Sequence, residues 1–231
     1  MAWYHESASE PKHFDFLRRQ MDAFNNAGGT ICEMNSWDYP EESEQLKKSA
    51  KNQLIVANRK LNRHDKEHEH CGWCEDCSEW HPYCDTAIKN QNVSQGIQHM
   101  IFATKNPSFI AKNKDGLYCA GLTYLTPEDK MLAKNQNLYE LSFKNTNGID
   151  IKGLGSNGKL PGAATALEMC VAKKAAQLGV NAGGLALEGS YGYHKAIGRK
   201  LRWPGSDGGY SVMKSVWTKK QCQDIASLGL V

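Results

Sequence analysis

The stretch "GIDIKGLGSNGKLPGAATALEMCVAKKAAQLGV", residues 148–180, reads as strand, glycine-rich loop and helix. A loop of that kind at a helix start offers backbone N–H groups and the positive end of the helix dipole to an anion. Three phosphate-binding patterns overlap in it. Gly153, Gly155 and Gly158 spell G-x-G-x-x-G, Gly153 to Lys159 spell G-x-x-x-x-G-K, and Lys159, Gly162 and Ala164 spell K-x-x-G-x-A. The corresponding ligands are a dinucleotide, a nucleoside triphosphate and an acyl-coenzyme A. A glycine-rich turn with no ligand is the fourth reading.

The neighbouring residues weigh against the first two. A triphosphate loop needs Ser or Thr after the lysine, because that hydroxyl binds Mg²⁺. Leu160 and Pro161 stand there instead. A dinucleotide fold needs the glycine triplet to open the first of several βαβ units, whereas this triplet is late in the chain. The third pattern fits the helix start. Pro161 suits a first helical position, and Gly162 and Ala164 are small enough for a diphosphate to approach the backbone. The helix after this loop has an apolar stripe, Ala164, Leu167, Val171, Ala175 and Leu178, spaced to pack on a sheet.

Working outward, the strand "GGLALEG", a short helix over 190–198, the strand "GGYSVMKSVW" and a closing helix in "TKKQCQDIASLG" come next. Before the stretch, "PSFIAKN" and "GLYCAGLTYL" flank a Lys-Asp-Gly turn, a hairpin signal, and "NLYELSF" reads as a strand. The first hundred residues read as helices over 11–27, 39–64 and 85–104, the last interrupted near Gly96, with a short strand in "AGGTICEM". The expected fold is α/β (α+β): a mostly antiparallel mixed sheet with a central helix. Residues 1–99 form a helical extension and residues 100–231 a sheet-containing domain.

Residues 148–201 resemble the core of the GNAT acetyltransferases. That family has R/Q-x-x-G-x-G/A at the start of the central helix, then a strand and a short helix ending like L-H-E-x-L-G-F. Here Lys159-Leu-Pro-Gly162-Ala-Ala164 is followed by strand 183–189 and by Tyr193-His194-Lys195-Ala-Ile-Gly198. With the preceding hairpin, the resemblance covers roughly residues 100–217. Lys159 replaces the usual Arg or Gln, and Arg199 stands where an aromatic usually comes after the glycine.

The resemblance implies an N-acetyltransferase that moves an acetyl group from acetyl-CoA to an amine by direct attack. The diphosphate would lie over the amides from Leu160 through Gly162 and Ala163 to Ala164, with Lys159 at the rim. The pantetheine arm would run along the edge of strand 149–155, at Leu154 and Gly155, where it splays from strand 183–189. The reaction needs a group to take the amine's proton and a donor for the departing thiolate. His194 and Tyr193 are the donor candidates, and Glu188, Asp150 and Glu140 the base candidates. Tyr191 and Trp203 shape an acceptor pocket or fill the core. A small amine, a protein amine and aminoacyl-tRNA are all compatible acceptors, and a homodimer is a compatible assembly.

A second feature is "HEHCGWCEDCSEWHPYC", residues 68–84. Cys71, Cys74, Cys77, His81 and Cys84 supply more than the four ligands of a structural zinc ion, and a Cys₃His set satisfies its tetrahedral preference. A metal-free loop of reduced cysteines is the alternative. The other cysteines, 32, 119, 170 and 222, are scattered, unlike a disulfide framework. This segment also motivates a different function: a non-catalytic zinc-containing module that binds nucleic acid or protein on an acetyltransferase-like scaffold.

The bulk properties fit either function. The 231 residues are 40% hydrophobic and 23% charged, and the formal net charge of +3 is too small to demand a nucleic-acid partner. No apolar run reaches the length of a membrane span, and the N-terminus lacks the pattern of a signal peptide. A cytoplasmic protein is expected, with no membrane partner; an effector acting in a target cytoplasm would look alike.

Overall fold

The computed structural model describes residues 10–34, 39–67, 72–74, 78–103, 108–129, 148–187, 190–202 and 212–231. In chain order the elements are α1 (Pro11–Asn26), β1 (Thr30–Met34), α2 (Pro40–Glu67), β2 (Gly72–Cys74), β3 (Glu79–His81) and α3 (Asp85–Ala103). Then come β4 (Ser108–Lys112), β5 (Tyr118–Leu125), β6 (Gly148–Ser156), α4 (Ala163–Leu178), β7 (Asn181–Leu187), α5 (Tyr191–Ala196), β8 (Lys200–Arg202), β9 (Val212–Trp217) and α6 (Lys219–Ser227). The strand expected in "NLYELSF" lies outside the described residues.

The main sheet has seven strands in the order β1-β4-β5-β6-β7-β9-β8, and β2 and β3 form a separate hairpin. Every pairing in the main sheet is antiparallel except β6 with β7. The chain is therefore a mixed α/β protein built on a mostly antiparallel sheet.

Strand alternation feeds two cores. On β4, Phe109 and Ala111 join a large cluster with Leu17, Met21 and Phe24 of α1, the buried side of α4, and Cys222 and Ile225 of α6. Ile110, between them, joins a smaller cluster with Leu46 and Ala50 of α2 and Ile97 and Met100 of α3. Helices α1, α4 and α6 thus cover one face, and α2 and α3 the other. In α1 the spacing of Leu17, Met21 and Phe24 makes the single apolar stripe that such a position requires.

Two features differ from the sequence expectation. First, α1 and β1 lie in the stretch read as an extension, 1–99, yet β1 is the edge strand beside β4 and α1 is part of the large core. Second, α3 is continuous through Gly96. A side chain there would meet the Ser156 carbonyl oxygen, so this glycine is where the helix crosses β6 at contact distance. Strand β8 had no recognisable pattern of its own; its three residues are defined by pairing with β9.

Candidate active site

The parallel ladder between β6 and β7 runs from Gly148–Asn181 to Ile151–Gly184 and ends there, although β6 continues to Ser156 and β7 to Leu187. A bulge marks the same point. On β5, Thr123 pairs with Gly153 while Tyr124 pairs with Ile151, which leaves Lys152 as an extra residue on β6. An unpaired residue of this kind bends its strand and re-aims the residues beyond it. The sheet therefore forks between β6 and β7.

The loop after β6 is built by Asn157, which is buried. Its N–H donates to the Cys119 carbonyl at 3.0 Å, and its side-chain amide donates to Gln53 of α2 and to the Tyr118 carbonyl. Its Oδ1 accepts the Lys159 N–H at 3.0 Å, and Ser156 Oγ accepts the Gly158 N–H at 3.2 Å. These side chains replace backbone partners in the turn. The chain then enters α4 through Gly162, in the left-handed conformation with φ 71°.

The sequence-derived ligand residues occupy different surroundings. Lys159 is exposed on the loop, whereas Leu160 and Ala163 are buried in the large core. Ala164 is half-buried in the first turn of α4, and Leu154 on β6 packs against the large core. Gly155 is buried on β6, and a side chain there would strike the Gly96 carbonyl and His99 of α3. Gly162 likewise faces the Gln20 carbonyl of α1, at 2.0 Å from where a Cβ would stand. Both glycines have a packing reason independent of any ligand.

Helix α5 presents the donor candidates. His194 is 7% exposed, and its Nδ1 lies 3.0 Å from Ser215 Oγ on β9. Ser215 pairs with Gly184 on one side and Leu201 on the other, and Gly184 pairs with Ile151. One row across the sheet therefore links the end of the β6–β7 ladder to the partner of His194. Burial, with the nearby Arg199 guanidinium adding to it, lowers the His194 pKa to about 3. The imidazole is neutral at physiological pH.

Tyr193 points elsewhere. Its hydroxyl lies 3.3 Å from Thr165 Oγ1 in the first turn of α4, and its ring packs edge-on against Phe16 of α1. Burial holds its phenol well above the usual range. Tyr191 opens α5 and is half-buried. Among the base candidates, Asp150 is 2% exposed and receives Lys152 Nζ at 2.6 Å. It sits one residue before the last ladder pair. Glu188, Glu140 and Trp203 lie outside the described residues.

Of the metal candidates, Cys71 and Cys77 lie outside the described residues and Cys74 ends β2. His81 ends β3, and Cys84 immediately precedes α3. No group of three His, Cys, Asp or Glu residues suited to a metal converges among the described residues. Cys119, Cys170 and Cys222 are free thiols.

Two residues of the arrangement carried little sequence signal, Ser215 and Asn157. Asn157 had a local one, the Ser-Asn-Gly turn. Ser215 acts through a partner remote in sequence. No described helix is long and apolar enough to cross a membrane. No protein-family model matches the chain, and no curated protein matches its sequence.

Proposed function

We propose that the protein is an acyl-CoA-dependent N-acyltransferase of the GNAT type, using acetyl-CoA and an amine acceptor. The observation that carries this reading is the fork between β6 and β7. Beyond it β6 runs on to Ser156 and the loop that leads into α4, and the Ser215–His194 pair is in register with the last ladder pair. Such a fork leaves strand-edge groups of β6 for the amide-rich pantetheine arm. The α4 N-terminus and Lys159 offer N–H groups and positive charge to the diphosphate.

In this reading the amine nitrogen attacks the thioester carbonyl carbon, the C–S bond breaks, and the sulfur leaves as a thiolate. The amine's proton passes to Asp150, directly or through water. His194 is neutral, so it acts as a hydrogen-bond donor and not as a charged acid. With the Ser215 hydroxyl donating to Nδ1, the ring proton sits on Nε2 and faces the departing sulfur. The thiolate then takes its proton from solvent.

Calorimetric titration with acetyl-CoA tests the cofactor, and an acceptor screen reading free thiol tests the transfer. Lys159→Glu, on an exposed loop position, is expected to weaken binding at least tenfold without unfolding the protein. Absence of any heat with acetyl-CoA or coenzyme A at high micromolar protein overturns the reading.

A further inference from the structure

The outer side of α2 is strongly basic. Between Glu44 and Asp65 the sequence has six cations, Lys47, Lys48, Lys51, Arg59, Lys60 and Arg63, and no acid. The inner side of the helix is used for packing: Leu46, Ala50 and Ala57 lie in the smaller core, and Asn58 accepts the Ser94 hydroxyl of α3 at 2.7 Å. Lys48, Lys51, Ile55, Arg59 and Arg63 are exposed on the opposite side. At 3.6 residues per turn they fall within about a third of the helix circumference, in a stripe about 22 Å long. Asn52 and Asn62 are exposed between them.

Among the described residues, none of Lys48, Lys51, Arg59, Lys60 and Arg63 is in an ion pair. Cations elsewhere are neutralised locally: Lys12, Lys174 and Lys220 each hold a carboxylate. Lys47 and Lys51, like Arg59 and Arg63, are like charges four residues apart, an arrangement that slightly opposes the helix. A helix shaped only for stability interleaves acids with its bases. Stability therefore does not account for the stripe, whereas a polyanionic partner does. The net charge of +3 conceals it, because acids elsewhere balance the bases.

The chemistry of the stripe selects the partner. The apolar side of α2 is already buried in the smaller core, so it is not free to enter a lipid surface. The stripe has no aromatic side chain on which unpaired bases would stack. With its inner side packed against α3 and the sheet, α2 meets a shallow groove better than it enters a deep one. Duplex RNA offers a wide, shallow minor groove displaying 2′-hydroxyls, to which the amides of Asn52 and Asn62 can donate and from which they can accept. We infer that the outer face of α2 binds double-stranded RNA. Lys48, Lys51, Arg59 and Arg63 meet the phosphates, and Asn52 and Asn62 the 2′-hydroxyls. The inference does not depend on the acyltransferase reading.

Fluorescence anisotropy of the intact protein with a labelled RNA duplex of about 16 base pairs tests this. A DNA duplex of the same sequence is the comparison, and both are titrated across a salt series. The RNA duplex is expected to bind more tightly, with log K falling against log salt at a slope of roughly −3 to −4 for four phosphate contacts. Replacing any one of the four cations by glutamine should reduce that slope by about one. Arg59→Gln with Arg63→Gln should weaken binding by about tenfold or more at low salt. Glutamine suits an exposed helix position, so the melting curve of that variant should match the wild type. Asn52→Ala with Asn62→Ala should shrink the preference for RNA while keeping the slope. Lys12→Gln with Lys220→Gln, which removes two cations from other helices, should leave binding unchanged. No RNA binding at low salt overturns the inference, and so does wild-type affinity in the Arg59→Gln, Arg63→Gln variant. Equal affinity for the DNA duplex overturns the assignment to RNA. Binding of polyglutamate or of anionic vesicles in preference to RNA overturns it in favour of an acidic protein or a lipid surface.

Discussion

His194 Nδ1 and Ser215 Oγ meet at 3.0 Å in the buried row that continues from the last β6–β7 pair. If that contact sets the tautomer that serves the leaving group, Ser215→Ala should lower kcat by roughly tenfold with KM for acetyl-CoA unchanged. His194→Ala should cost roughly 10²–10³ in kcat, the range expected for losing one hydrogen-bond donor to the charge that develops on the leaving group. Ser215→Thr keeps the hydroxyl and should retain most of the rate. Initial rates of thiol release, beside calorimetric affinities for acetyl-CoA, distinguish positioning from binding.

The same histidine makes stability depend on pH. Its pKa falls from about 6.5 in an unfolded chain to about 3 in the fold, chiefly through burial. As pH drops below 6.5, the unfolded state takes up the proton first. The contribution is complete above that value and is lost as pH falls towards 3, at up to about 1.4 kcal/mol per pH unit. Melting temperatures between pH 7.5 and 5, above the main carboxylate range, should decline in the wild type. His194→Gln should flatten that decline.

The elements with local signals were legible in the sequence. The Leu17, Met21 and Phe24 stripe marks α1, and the Lys-Asp-Gly turn marks the β4–β5 hairpin. The glycine loop places α4 to within a residue of its start. The illegible parts depend on distant partners. The bulge at Lys152 exists only as an offset against β5, and β8 only as a partner of β9. Gly96 reads as a break in its helix, and Gly155 and Gly162 as ligand-facing residues. Their surroundings show that each makes room for another element's backbone. For the candidate site, the sequence shows the order along the chain of the glycine loop, α4 and the short helix that carries His194. Ser215 was hidden because an isolated serine in an apolar strand has no pattern until the sheet register is known.

Glu168 and Arg199 form a buried pair, each 1% exposed, with the charges 3.2 Å apart and the guanidinium 4.3 Å from the Trp217 ring centre. Glu168 Oε2 and two of the guanidinium nitrogens make no hydrogen bond among the described residues. Burial pushes the Glu168 carboxyl up against the pull of Arg199. Arg199→Leu should therefore cost about 3–5 kcal/mol, the usual penalty for leaving one buried charge alone. In that variant Glu168 binds a proton more tightly in the fold than in the unfolded chain. The variant should be most stable at low pH and lose stability as pH rises. The double variant Glu168→Leu with Arg199→Leu should recover most of the loss in urea denaturation.

The two positive-φ glycines flanking Lys159 should respond differently to alanine. At Gly158, φ is 71° and nothing lies within 4 Å of an added Cβ, so only the backbone preference opposes the change. A cost of about 1 kcal/mol is expected there. At Gly162 the φ is the same, but the added carbon would stand 2.0 Å from the Gln20 carbonyl oxygen. Helix α1 would have to move off α4, and Leu17, Met21 and Phe24 anchor α1 in the large core. Gly162→Ala should therefore cost at least about 3 kcal/mol, in the range of overpacked core positions plus backbone strain. Urea denaturation of the two variants measures the difference. Equal costs would mean that α1 does not pack at Gly162. In that case loss of acetyl-CoA binding in a Gly162 variant would report on the ligand site rather than on folding.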